Sequence, residues 1–224
     1  MTKRRALLFL FLLICWISSG AASTESESVP DPLAEPRELL ARLEERAAEL
    51  QTLKADFIQE KHLAVLDRPL VLKGTLFMQK PDHFAWIVRE PLGYSMVIRG
   101  DVVHQWSEDT RQVDRISLSE NPQFQMAIRQ MRDWLSGSYR SILGDYAVSV
   151  LDREPLRLQF VPRETALPRG LIESVTIEFE RDERYVHQIT IVETRGDWSL
   201  LTFVDALLND PIAPSAWDVE QHVR

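Results

Sequence analysis

From Leu39 to Leu53 the apolar residues Leu39, Leu40, Leu43, Ala47, Leu50 and Leu53 recur at intervals of three and four, which sets them along one helical face. Pro36 falls in the first turn of that helix, where a missing amide donor costs little. From Lys54 onward the period changes to two. Alternation over 55–64, 70–79, 83–90, 94–99, 102–107 and 110–116 predicts six strands, most of them separated by a few residues rich in Gly, Pro and Asp. Helical spacing returns at 121–135, where Phe124, Ala127, Ile128, Met131 and Leu135 make one apolar stripe and Gly137 follows close after the end. Five further strands are predicted near 145–152, 155–162, 171–180, 185–193 and 198–206. The tail, 207–224, is broken by Pro211 and Pro214 and reads as irregular apart from a short Trp217-Asp218-Val219.

One hairpin is especially informative. Alternation sends Phe84, Trp86 and Val88 to one face of the sheet and His83, Ala85 and Ile87 to the other. Both faces are therefore largely apolar, and each needs a cover: a helix, a second sheet or a greasy ligand. Eleven antiparallel strands in a chain of this size cannot form one flat sheet without exposed edges, so the sheet is expected to close or curl strongly. The helix at 121–135 interrupts a run of hairpins and is expected to cross over the sheet. The expected fold is mainly β: a curled antiparallel sheet with helices packed into its mouth.

The ends narrow the setting. Lys3, Arg4 and Arg5 precede an apolar run of twelve, Ala6–Ile17, and Ser18-Ser19-Gly20-Ala21-Ala22 supplies small residues suited to cleavage. Residues 1–22 thus read as a signal peptide, and the run is short for a membrane span. Cys15, the only cysteine, lies within it and follows Ile14, which is too large for a lipoprotein cleavage site. The mature chain is then exported, suited to a bacterial periplasm, with no disulfide or thiol chemistry. Residues 23–36, rich in Ser, Glu and Pro, read as a flexible lead-in to one domain at 37–219, with 220–224 a tail. Without the leader, 23 basic residues face 34 acidic ones, a net charge of −11, which disfavours nucleic acid and anionic lipid surfaces.

Catalytic patterns are missing from the sequence. His62, His83, His104, His187 and His222 show no metal-ligand spacing, and there is no Gly-x-Ser-x-Gly, no His-Glu-x-x-His and no phosphate-cradling glycine loop. A non-enzymatic protein without metal or cofactor is expected. The larger apolar side chains Phe57, Phe77, Phe84, Trp86, Met96, Trp106, Phe124, Met126 and Met131 are candidates for a shared interior. They admit two readings: a packed core, or a cavity for acyl chains partly closed by the 121–135 helix, whose methionines could repack around differing ligands.

At these residues the chain resembles the periplasmic outer-membrane lipoprotein carrier family, LolA. Leu53-Lys54-Ala55-Asp56-Phe57-Ile58-Gln59 is similar to the family's first-strand signature, and Gly74-x-Leu76-Phe77-x-x-Lys80-Pro81-Asp82-x-Phe84-x-Trp86 to its central one. Pro91, Val97-Ile98-Arg99-Gly100-Asp101 and Trp106 resemble the next hairpin, and Leu208-Asn209-Asp210-x-Ile212 with Trp217 the C-terminal pair. The resemblance implies an unclosed barrel of about eleven strands with a helical lid over an apolar cavity. It further implies a monomeric carrier of acylated lipoprotein or lipid cargo, shuttling between an inner-membrane transporter and an outer-membrane receptor. Carried over by position, Phe84 and Trp86 are expected to line the cavity and Phe124 to sit on the lid helix; Phe57, Phe77, Met96 and Trp106 are the further cavity candidates, and Lys80, Met126, Ile128 and Met131 are expected at the lid. Lys80 stands where typical members carry an arginine that latches the lid, and lysine cannot make the same forked contacts. The tail ends soon after Trp217, where typical carriers add a further segment. The stretch Leu63-x-x-Leu66-x-x-Pro69-Leu70-x-x-x-Gly74 resembles a divergent branch, for which a free glycolipid or aryl-polyene lipid is the alternative cargo. An adaptor with a solidly packed sheet is the alternative outside the carrier class.

Overall fold

Strand order in the sheet follows directly from the run of hairpins. The computed structural model describes residues 34–163 and 172–220; the leader and most of the lead-in expected before the first helix lie outside the described residues. Helix α1 (Ala34–Ala48) is followed by β1 (Thr52–His62), β2 (Leu70–Gln79), β3 (His83–Glu90), β4 (Tyr94–Arg99), β5 (Val102–Ser107) and β6 (Gln112–Ser117). Helix α2 (Pro122–Ser136) and a 3-10 turn (Arg140–Gly144) lead to β7 (Tyr146–Arg153), β8 (Leu156–Pro162), β9 (Ile172–Phe179), β10 (Val186–Glu193) and β11 (Trp198–Leu208). A second 3-10 turn covers Pro214–Trp217.

All eleven strands belong to one antiparallel sheet in the order β6-β5-β4-β3-β2-β1-β11-β10-β9-β8-β7. The chain starts in the middle, builds one half outward to β6, crosses by α2 to the opposite edge at β7, and builds inward again. Among the described strands only the β1–β11 pairing joins strands distant in sequence, with Phe57 opposite Phe203. β6 and β7 do not pair, so the sheet curls into a half-barrel without closing.

Around β3 and β4 the sheet is buried on both faces, whereas β1 alternates between buried and exposed positions. The larger apolar cluster lies on the face covered by the helices and draws on α1 (Leu40, Leu43), both half-sheets (Phe57, Phe203) and α2 (Ile128, Leu135). Ala85, Ile87, Val97 and Val219 make a smaller cluster on the opposite face. There the C-terminal segment folds back, and Ser95 Oγ, fully buried, donates to the Val219 carbonyl at 2.5 Å. The reading that β3 carries apolar residues to both faces therefore has two different covers.

Asn209 fastens the joint between α1 and the sheet. In the left-handed region (φ 61°), it accepts from the Gln51 amide at 2.7 Å through Oδ1 and donates to the Glu49 carbonyl at 3.1 Å through Nδ2. This clip ties the end of β11 to the turn that precedes β1.

Candidate functional site

The inner face is built around an aromatic stack. Phe57 on β1 lies against Trp86 on β3 with ring centroids 4.0 Å apart and planes 25° from parallel, although β2 separates the two strands. Gly74 makes that contact possible. It stands opposite Phe57 on β2, and a Cβ there would lie 1.8 Å from the Ile87 carbonyl oxygen and 2.7 Å from Phe57 Cζ. Phe84 extends the stack, 6.4 Å from Trp86. Met96 is the cross-strand partner of Trp86, and the pair shares the inner face.

Helix α2 covers this surface with Ile128, Met131, Trp134 and Leu135 buried and Phe124 partly buried. The Met126 side chain lies outside the described residues. Gln130 Nε2 donates to the Tyr146 hydroxyl on β7, while Trp134 meets the Tyr146 ring edge-on with centroids 6.4 Å apart. Burial pushes the Tyr146 phenol above its ordinary value, and the Gln130 hydrogen bond works against that rise. The helix ends at Gly137 (φ 90°), whose amide donates to the Asp133 carbonyl at 3.1 Å. A Cβ at Gly137 would come within 2.1 Å of Ala47 Cβ, so the end of α2 rests directly on the end of α1.

Three positions need correction. Phe77 and Trp106, expected inside the cavity, pack against the opposite cluster with Ala85, Ile87 and Val97. Register is the reason: Phe77 pairs with Ala85, while Trp106 pairs with Ser95, which in turn pairs with Ile87. Lys80 was expected to meet the lid, but its Nζ donates to the Ala47 carbonyl at 2.7 Å, in the last turn of α1. Burial holds its ammonium below the usual lysine range. Lys80 therefore holds the helix on which α2 rests rather than α2 itself.

Several inner residues were not among those expected. Trp134 stands three residues after Met131 and shares its face, a signal present in the helical spacing. Tyr146, Phe160, Phe179 and Phe203 come from the second half-sheet, whose place opposite the first depends on the long-range β1–β11 pairing. Gln59 follows Phe57 by two residues on the same face and is 8% exposed.

Chemically, the helix-covered face is apolar and offers few polar groups. Among the described residues no three His, Cys, Asp or Glu side chains gather as metal ligands, and no helix is long and apolar enough to cross a membrane. A half-barrel with an apolar inner face packed under two helices is the class of fold. The sequence matches the family model described as outer membrane lipoprotein carrier protein LolA over residues 48–219, and the chain belongs to that family. Membership supports a carrier role in general.

None of the curated proteins matches the chain. Solved structures do. An uncharacterized conserved protein from Thermus thermophilus is 13% identical, with 80% of this chain and 90% of that one covered and a TM-score of 0.50. The lipoprotein LppX of Mycobacterium tuberculosis is 12% identical, with 79% and 98% covered and a TM-score of 0.47. A LolA superfamily protein from Nitrosomonas europaea is 11% identical, with 77% and 94% covered and a TM-score of 0.40. At such identities the first of these speaks for the fold alone.

Proposed function

We propose that this protein is a periplasmic carrier that encloses the acyl chains of a lipoprotein or lipid between its half-barrel and α2, and takes that cargo from the inner to the outer membrane. The observation that carries the reading is the construction of the inner face. One apolar cluster runs through both half-sheets and α2, and α2 bridges the two edge strands without joining the ladder. Moving α2 would thus open the interior without breaking strand pairing.

The energetics suit a reversible carrier. Burying a saturated chain of about 14 methylenes yields roughly 11 kcal/mol before ordering costs. A closed lid that covers its own apolar stripe offsets part of that gain, so that cargo is held and can still be released. Phe57, Phe84, Trp86 and Met96 would form the wall against the chains, and Ile128 and Met131 the lid. Loading by an inner-membrane transporter and acceptance by an outer-membrane receptor follow from the family resemblance.

Native mass spectrometry of the mature protein purified from its periplasm, followed by organic extraction, tests the proposal. A bound acylated peptide identifies lipoprotein cargo, and a bound free lipid identifies the other branch. A clean protein mass, with no uptake of fluorescent fatty-acid probes afterwards, sinks the carrier reading and leaves a packed adaptor.

A further inference from the structure

The inner face is not apolar throughout, and its polar atoms are unusual in what they lack. Among the described residues, five buried side-chain polar atoms have no hydrogen-bond partner: Gln59 Oε1, His62 Nε2, Trp86 Nε1, Trp134 Nε1 and Glu183 Oε2. Two of these sit near a charged side chain, His62 Nε2 at 3.6 Å from Glu60 Oε2 and Glu183 Oε2 at 3.4 Å from Arg46 Nε. The other three belong to residues on the helix-covered face. Trp86, on the sheet wall, is 4% exposed and Trp134, on α2, is 5% exposed. Both indole N–H groups are donors that nothing in the described protein accepts.

Such a donor is costly in a closed interior, because the group gives up water and gains nothing in exchange. A resident water would answer it poorly. A buried water needs two to four polar partners, and Trp86 is surrounded by Phe57, Phe84 and Met96. An acceptor that arrives with its own apolar bulk fits better. A carbonyl oxygen at the head of an acyl chain is such an acceptor: it sits where hydrocarbon gives way to the polar link. Gln59 Oε1 adds a third unpartnered atom nearer the β1–β2 hairpin, beside Leu72 and Leu201 in the register.

We infer that the indole N–H groups of Trp86 and Trp134 are acyl-carbonyl donors, one on the wall and one on the lid. The cargo they select is acyl-ester or acyl-amide linked, in preference to ether-linked or bare hydrocarbon chains. This rests on the carrier reading and deepens it. It also gives the lid a chemical reason to close over cargo, since Trp134 gains its partner only when α2 docks on a filled interior.

The test uses the delipidated mature protein and two probes, dipalmitoyl phosphatidylethanolamine and its dihexadecyl ether analogue, each competed against a fluorescent fatty acid. The expected result is that the ester lipid displaces the fluorophore at roughly three- to tenfold lower concentration than the ether, the span of one or two net hydrogen bonds. Trp86→Phe and Trp134→Phe should each narrow that ratio, and the double variant should bring it to about one, whatever the two affinities are in absolute terms. Equal affinity for ester and ether in the unaltered protein overturns the inference and leaves the carrier reading standing; this arm needs no variant to fold. A ratio that survives in the double variant also overturns it. If neither lipid displaces the probe, the carrier reading itself fails and this inference with it.

Discussion

Helices α1 and α2 are each fifteen residues long and cover the same inner face, but they are held there by different means. α1 buries Leu40 and Leu43 completely, and its polar rim is fastened at several points. Arg42 and Arg46 reach Glu183 at 3.2 and 3.4 Å, Arg46 also donates to the Asp182 carbonyl at 2.7 Å, and Glu44 receives the Arg140 amide at 2.6 Å. Lys80 Nζ and the Asn209 clip close its C-terminal end. α2 lies against the sheet through apolar side chains, and among its described residues the Gln130–Tyr146 bond is its one side-chain hydrogen bond to a strand. Exposed ion pairs contribute little individually, so the ties on α1 serve orientation more than stability. α1 is thus fixed to the sheet by polar ties as well as apolar packing, and α2 almost wholly by apolar packing.

Truncation gives the largest effect and the sharpest test of that contrast. Leu43→Ala on α1 should cost about 2–5 kcal/mol in urea unfolding. Met131→Ala on α2 should cost less than about half as much, because a helix that can open locally caps what its side chains add to global stability. Equal losses would make α2 a core helix and end the distinction. Met131→Glu extends the test. Acyl-probe binding should fall at least about tenfold with the sheet's far-UV signal kept, whereas an unfolded variant would show that a charge there has no route to water.

The joint between the helices comes next. Gly137→Ala forces a side chain into the left-handed region and onto Ala47, and should cost about 2–4 kcal/mol. Hydrogen exchange should locate the damage in α2, and equal loss of protection in α1 would mean that the two helices move as one. Smaller still is Glu44→Gln, which weakens the Arg140 tie. A loss of about 0.2–1 kcal/mol with probe binding unchanged is expected. A marked gain in binding would assign the lid function to α1 instead.

The smallest effect is a dependence on pH. Burial pushes the Asp133 carboxyl on α2 above its ordinary value, against the pull of Arg129 and Arg132. A folded value above the unfolded one means that the docked helix binds the proton more tightly. The contribution is full below the ordinary carboxylate range and is lost as pH rises through the raised value. Protection factors in α2, measured relative to α1, should therefore increase from about pH 7 toward about pH 4. Asp133→Asn should remove the trend, and a trend that persists in that variant would place its source elsewhere.

Much of the fold was legible in the chain. Strands at 70–79, 83–90, 94–99 and 102–107 fall where alternation placed them, because short hairpin turns mark their ends; β1 starts three residues earlier than expected and ends two sooner. The crossing helix was legible too, since a 3.6-residue period cannot continue a ladder. The interior was read less well. Phe77 and Trp106 are large and apolar, and where both faces of a strand are apolar, size and hydropathy do not say which face is inward. The turn at Lys80-Pro81-Asp82 decides it by pairing Gln79 with His83, which carries Met78 and Phe84 inward together and Phe77 outward. The two short 3-10 turns at 140–144 and 214–217 were not anticipated, for want of a period long enough to detect.

The period of each segment, the hairpin order, the lack of a familiar catalytic pattern and the likeness to a carrier family are all legible in the chain alone. These are properties of neighbours, written at spacings of two to four residues. Which face became the interior, that Lys80 grips α1, and that two indole donors end without a partner among the described residues were decided only in three dimensions. Each depends on contacts made by chain far away: β11 beside β1, the C-terminal segment over β3, and α2 across the mouth. A side chain's direction is local, but what covers it is not.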